Sequence, residues 1–138
     1  MKTKLSWCDR TLIENPLFYG VCTSEKDFAH EMQRLKVPSA PPFLSTTHAH
    51  ATTHFFENDG RQTAIVCLGD FKKRREIEVI GLITHEAVHI WQATKLHIGE
   101  HTPSNEFEAY SVQWITQQLL ESLLRQDKRF KHWMAHIK

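Results

Sequence analysis

The chain has 138 residues, 41% of them hydrophobic and 24% charged, which suits one compact domain and excludes wholesale disorder. Its formal net charge of +1, from 17 basic and 16 acidic residues, lacks the cationic surplus of a nucleic-acid footprint, so no nucleic acid is expected as a partner. No apolar stretch approaches the roughly 18 residues that cross a bilayer, and no membrane partner is expected.

Residues 1–16, MKTKLSWCDRTLIENP, carry two lysines but no sustained apolar run, so no secretory signal is expected. Residues 1–22 set aromatic and apolar side chains between turn signals at Asn15–Pro16 and Gly20, and read as irregular with at most a short helix. Ser24 suits the N-cap of a helix running to about Leu35, where Val37–Pro38 stops it. Pro38, Pro41 and Pro42 make a stiff connector, so residues 1–45 form an N-terminal helix and its Pro-rich link. His50 to Phe56 is rich in strand formers, Glu57 to Gly60 is a turn, and Gln62 to Leu68 is a second strand. The basic run Lys72, Lys73, Arg74 and Arg75 reads as a solvated loop at a helix start. A long helix follows from about Arg75 to His97, ended by Gly99. Pro103 suits the first position of the next helix, which runs to about Arg125. Residues 126–138 carry a last, docking helix near 127–137, with Phe130, Trp133, Met134 and Ile137 facing the core. The order predicts a single α+β domain over 1–138, a small antiparallel sheet packed on a helical layer.

The three cysteines, Cys8, Cys22 and Cys67, are odd in number, widely spaced and without a CxxC pair. That usage favours reduced thiols, and with them the cytoplasm of the producing or host cell, over a disulfide framework or a cysteine-based zinc site.

Within the long helix stands THEAVHIWQ, residues 84–92. The chain holds ten histidines, so an HExxH string arises by chance in roughly one such sequence in twenty, and its context has to support it. His85 and His89 at i and i+4 share a helix face about 6 Å apart and can aim both imidazoles at one zinc ion. Glu86 sits about 100° round the helix, at the edge of that site, where a carboxylate serves as general base rather than ligand. The surrounding run VIGLITHEAVHIW is apolar, as a helix crossing the domain centre should be. Gly81, one turn before His85, either clears space or is a tolerated helix glycine.

A catalytic zinc needs a third protein ligand and an open position. The metzincin pattern is excluded, because Lys95 stands where its third histidine would be and Gln92 where its glycine would be. Sixteen residues after His89, the string NEFEAY offers Glu106 at the start of an E-x-x-A pattern. Two antiparallel helices joined by so short a link bring the start of the second opposite the end of the first. Glu108 is the rival ligand, about 200° from Glu106 on the helix, so only one of the two can face the metal.

The pairing of HEAVH with NEFEA resembles a minimal gluzincin-type HExxH zinc metallopeptidase of zincin-like layout, similar to ImmA/IrrE-like peptidases. The wording HEAVHIWQ…IGE…EFEAY is also similar to small HExxH proteins of bacteriophage and prophage genomes. The resemblance covers about residues 62–120. It implies a zincin-like domain with the HExxH helix central and residues 46–125 as the catalytic core. His85, His89 and Glu106 would hold one zinc ion and Glu86 would be the base. Thr63 to Leu68 would be the edge on which an extended peptide or protein substrate aligns. Related families often place Asp or Asn four residues after the ligand glutamate; Tyr110 stands there, and its phenol could orient a ligand, stabilise an oxyanion or simply pack.

Other residues carry blander readings. His48, His50 and His54 share a strand face and read as surface histidines beside a hairpin rather than a second metal site. His97 and His101 read as exposed turn residues, Trp91 and Trp114 as core. Gln113 and Gln117 could bond the ligand histidines or pack between helices. The competing functional reading is a zinc-stabilised binding or assembly protein of a phage-type system, without catalysis. Glu86 argues against it, because a structural site needs no base.

Overall fold

In the computed structural model, which describes residues 5–8, 10, 15–128, 131, 132 and 135, the expected hairpin forms the centre and one edge of a four-stranded sheet. In chain order the elements are β1 (Ser6–Trp7), β2 (Leu17–Cys22), α1 (Glu25–Arg34), β3 (Ala51–Asn58), β4 (Arg61–Leu68), α2 (Glu76–His97) and α3 (Asn105–Gln126). A 3-10 turn at Phe71–Lys73 links β4 to α2. The α+β class is as expected. The residues expected to make the last docking helix face the core, Phe130, Trp133, Met134 and Ile137, lie outside the described residues.

β3 and β4 close through Asp59 and Gly60, whose φ angles of 51° and 76° are those of a two-residue type I′ turn. The sheet order is β1-β2-β4-β3, with β1 antiparallel to β2, β2 parallel to β4, and β3 antiparallel to β4. Two expectations are corrected here. The sheet is mixed rather than antiparallel, because Leu17–Cys22, expected to be irregular, is a strand. Its sequence LFYGVC is apolar on both faces, as suits a strand covered on both sides, and so shows no alternation. Gly20 belongs to the strand: a Cβ there would lie 2.8 Å from the Ser6 carbonyl oxygen of β1. Second, Thr63 to Leu68 lies in β4, an interior strand bonded on both sides, so the sheet edge is β3.

The sheet separates two apolar layers. Tyr19, Val21, Ala64, Val66 and Leu68 face α2 and α3, packing on Val79, Ile83, Ile90, Leu119 and Leu123. On the other face Cys22, Ile65 and Cys67 meet Phe28 and Met32 of α1. Local signals set the helix ends. Ser24 caps α1 by accepting from the Asp27 amide, and the Glu78 carboxylate accepts from the Arg75 amide at the start of α2. Gly99, at φ 77°, follows α2 in a Schellman turn, with Gly99 N–H donating to Leu96 and Glu100 N–H to Lys95. α3 starts two residues later than Pro103 suggests, at Asn105, capped by Ser104.

The thiols are structural. Cys8 is half-buried against α3, its thiol donating to the Gln118 carbonyl at 2.9 Å, and desolvation of the thiol pushes its pKa up from 9.0 to about 12. Cys22 and Cys67 are partners across β2 and β4; burial raises Cys67, while the Cys67 thiol bonding to Cys22 lowers Cys22. The raised Cys8 value gives a signed pH dependence. Its stabilising contribution is complete below pH 9.0, where both states hold the proton. It declines from there to about 12, because the unfolded chain ionises first. The alkaline fall in unfolding free energy should therefore be steeper in wild type than in Cys8→Ala, by up to about 1.4 kcal/mol per pH unit, read from urea midpoints.

Candidate metal centre

α2 divides into stripes by its 3.6-residue period. Val79, Ile83, Ala87, Ile90 and Thr94 are buried against the sheet. His85 and His89 point the other way, about 140° from the centre of that face, and both are exposed. Glu86 lies between the two stripes, and it is buried, at 5% exposure.

The strand register decides what Glu86 meets. Thr53 of β3 pairs with Val66 of β4, and directly paired residues share a face. Val66 faces α2, so Thr53 does too, and its hydroxyl donates to Glu86 Oε2 at 2.5 Å. That bond satisfies one oxygen of a buried carboxylate and fixes its orientation.

His85 and His89 converge. Their Nε2 atoms are 3.1 Å apart and their rings meet edge to face at 4.8 Å. Two imidazole ligands of one tetrahedral zinc, with Zn–N bonds of about 2.0–2.1 Å, would hold their nitrogens about 3.3 Å apart. The pair fits such an ion. Gln92 supports it, with its side-chain oxygen 3.1 Å from His89 Nδ1. With Nδ1–H donating to Gln92, the Nε2 lone pair of His89 points towards His85. Beside the pair a cleft of about 450 Å³ opens between Ala51 of β3 and Glu78, Gly81, Leu82, His85 and Glu86 of α2. Nothing lies within 4 Å of where a Gly81 Cβ would be, so packing does not require the glycine there.

The first turn of α3 is placed differently from the histidines. Glu108 turns towards α2, accepting from Trp91 Nε1 at 2.8 Å, with Lys95 Nζ 3.6 Å away. Those partners lie on a flank of α2 roughly 100° or more from the histidine stripe. Glu106 is exposed, about 160° round α3 from the centre of its buried face, and Tyr110 follows one turn on at 60% exposure. The structure thus brings together His85, His89 and Gln92, and separately Glu86 and Thr53, but it does not bring Glu106 or Tyr110 to them. Among the described residues no three His, Cys, Asp or Glu side chains are gathered to share a metal ion.

The other candidates fall out plainly. His54 is half-buried, its Nε2 2.9 Å from the Phe43 carbonyl oxygen and its ring stacked on Phe28 at 5.2 Å, so it packs rather than sitting on the surface. His50 contacts Arg74, and His48, His97 and His101 are exposed. Trp91 is core and Trp114 half-buried, while Gln113 and Gln117 are exposed on α3. Thr53 and Gln92 were missed as site residues. The i, i+3 spacing of His89 and Gln92 is a signal for one; the contact to Thr53 depends on tertiary register and has no local signal.

Two stability outcomes follow from this geometry. Thr53→Val leaves a buried carboxylate without its donor and should cost about 1–3 kcal/mol in urea unfolding at neutral pH. Gly81→Ala, in a helix interior with open space around it, should gain up to about 1 kcal/mol in the same measurement.

Compared with protein-family models, curated proteins and solved structures, the chain matches none, so its function is read from the site itself.

Proposed function

We propose that the chain is a zinc-dependent peptide hydrolase of zincin-like design. One observation carries the reading: two imidazole Nε2 atoms converge to 3.1 Å at a cleft whose wall holds a buried, hydrogen-bonded glutamate from the same helical turn. His85 and His89 hold the ion. Glu106 is the proposed third ligand, ahead of Glu108, whose carboxylate is engaged by Trp91 and Lys95. Bound zinc would polarise the scissile carbonyl and lower the pKa of a water.

The protein's own groups do the rest. Thr53 holds Glu86 Oε2, which leaves Oε1 to take the proton from the attacking water and return it to the leaving amine. Tyr110 stands one turn from Glu106 on the same stripe of α3, so a movement of α3 that carried Glu106 to the ion would carry Tyr110 with it. The substrate is an extended peptide laid along the open edge of β3, the strand that carries Thr53, where main-chain hydrogen bonds would align it. A cytoplasmic setting and a phage-type system follow from the cysteine usage and the resemblance.

Zinc per chain and cleavage of an unstructured peptide library test this together. Wild type should hold one zinc and cleave; Glu86→Gln should keep the metal and lose turnover by about a thousandfold or more. Glu106→Ala should lose zinc, whereas Glu108→Ala should keep it. A wild type without zinc, or Glu86→Gln with full turnover, contradicts the proposal. One zinc with no cleavage of any peptide favours the silent, zinc-stapled binding protein instead.

A further inference from the structure

α1 has ten residues, about 15 Å of helix, and covers only part of its face of the sheet. Beyond its C-terminus a hollow of about 680 Å³ lies over the opposite end of the sheet from the histidine cleft. Its floor holds Trp7 of β1, Phe18 of β2 and Thr63 of β4, and its rim holds Arg34, Lys36 and Arg61. Trp7 pairs with Gly20, and Phe18 with Thr63, so the two aromatic residues are diagonal neighbours on adjacent strands.

Cations gather over these rings. The Arg34 guanidinium lies 5.8 Å from the Trp7 ring, held by its Nε bond of 2.6 Å to buried Glu31. Arg10 lies 3.8 Å over Phe18. Among the described residues, Arg10, Arg34, Lys36 and Arg61 face two carboxylates, Glu31 and Asp59, an excess of two positive charges in a chain whose whole net charge is +1. The rim is also built to hold its shape. Asn58 of the hairpin donates to the Leu35 carbonyl at 2.6 Å, tying the turn to the end of α1.

Lys36 adds an independent observation. It occupies the C′ position of a Schellman turn, with Lys36 N–H donating to Gln33 and Val37 N–H to Met32, at φ 55°. Glycine normally fills that left-handed position. A lysine kept there, at the rim of a cationic hollow, stores backbone strain where a ligand would use its charge.

We propose that this hollow binds a nucleotide unit, its base stacked on Trp7 beside Phe18 and the Arg10 guanidinium that covers it, and its phosphate held by Arg34, Lys36 and Arg61. Aromatic side chains on a sheet face with cations at their margin are what an unstacked base and its phosphate require. The volume suits one or two nucleotides. An acidic peptide would use the charges but not the rings. The same chemistry is offered by a free nucleotide and by a residue of a single strand. The site is separate from the histidine cleft and does not depend on the proposed hydrolysis.

The test is titration of the isotope-labelled full chain with adenosine monophosphate, an oligothymidylate and oligoglutamate, followed by amide and indole resonances. Saturable shifts at Trp7, Phe18 and Thr63 with either nucleotide probe support the proposal. The oligothymidylate alone would identify a single strand, and equal affinity per nucleotide a free nucleotide. Arg61→Gln should weaken binding about tenfold. Lys36→Gly should also weaken it while raising Tm by about 3 °C. Absence of shifts, shifts confined to Lys72 to Arg75, oligoglutamate binding as tightly, or Lys36→Gly gaining stability with unchanged affinity would each overturn it.

Discussion

The burial of β4 on both faces is the constraint from which the other placements follow. Ala64, Ile65, Val66, Cys67 and Leu68 are entirely inaccessible, alternating between the α2–α3 layer and the α1 layer. A slip of one residue would exchange the two sets and set β4 against the wrong neighbours on both sides. Register is therefore fixed from within. β3 inherits it through its antiparallel pairing, and with it the direction in which Thr53 and Ala51 point. The bond between Thr53 and Glu86 is thus determined by a strand that touches neither the histidines nor the cleft.

α2 answers to two demands at once. Its sheet side carries apolar packing, its outer side carries His85 and His89, and Glu86 sits on the boundary where it can be desolvated yet remain beside the cleft. A general base has to stand at such a boundary, since full exposure weakens its control and full enclosure denies it water. Leu96, 62% exposed on the histidine stripe, shows that the outer side is not purely polar. Ile80, Leu82 and Val88 are likewise only half-buried, which is why VIGLITHEAVHIW reads as continuously apolar although only one side of the helix is buried.

Legibility in the sequence follows the range of the interactions. Helix ends, the Asp59–Gly60 turn and the convergence of His85 on His89 are local, and the residues within a few positions determine them. The strand Leu17–Cys22 was illegible because its pairing partner lies more than forty residues on, and a strand covered on both faces loses the alternation that marks one. The same loss misplaced the sheet edge, since recognising β4 as interior requires knowing of β2. On α3, helical spacing correctly separated Glu106 from Glu108. It could not tell which way the helix is rotated, and that is settled by long-range packing of Ser111, Ile115, Leu119 and Leu123.

The parallel pairing of β2 with β4 also dictates an order of assembly. β2 cannot join the sheet until β4 has been synthesised, and its other face is not covered until α3 exists, about a hundred residues after it. At about 5–20 residues per second on the ribosome, the apolar segment LFYGVC waits several seconds for β4 and α3. The hairpin and α2, whose contacts are nearer in sequence, close first. Joining β2 to β4 is therefore a long loop closure, and it leaves an apolar strand exposed to mispairing until its partner is made.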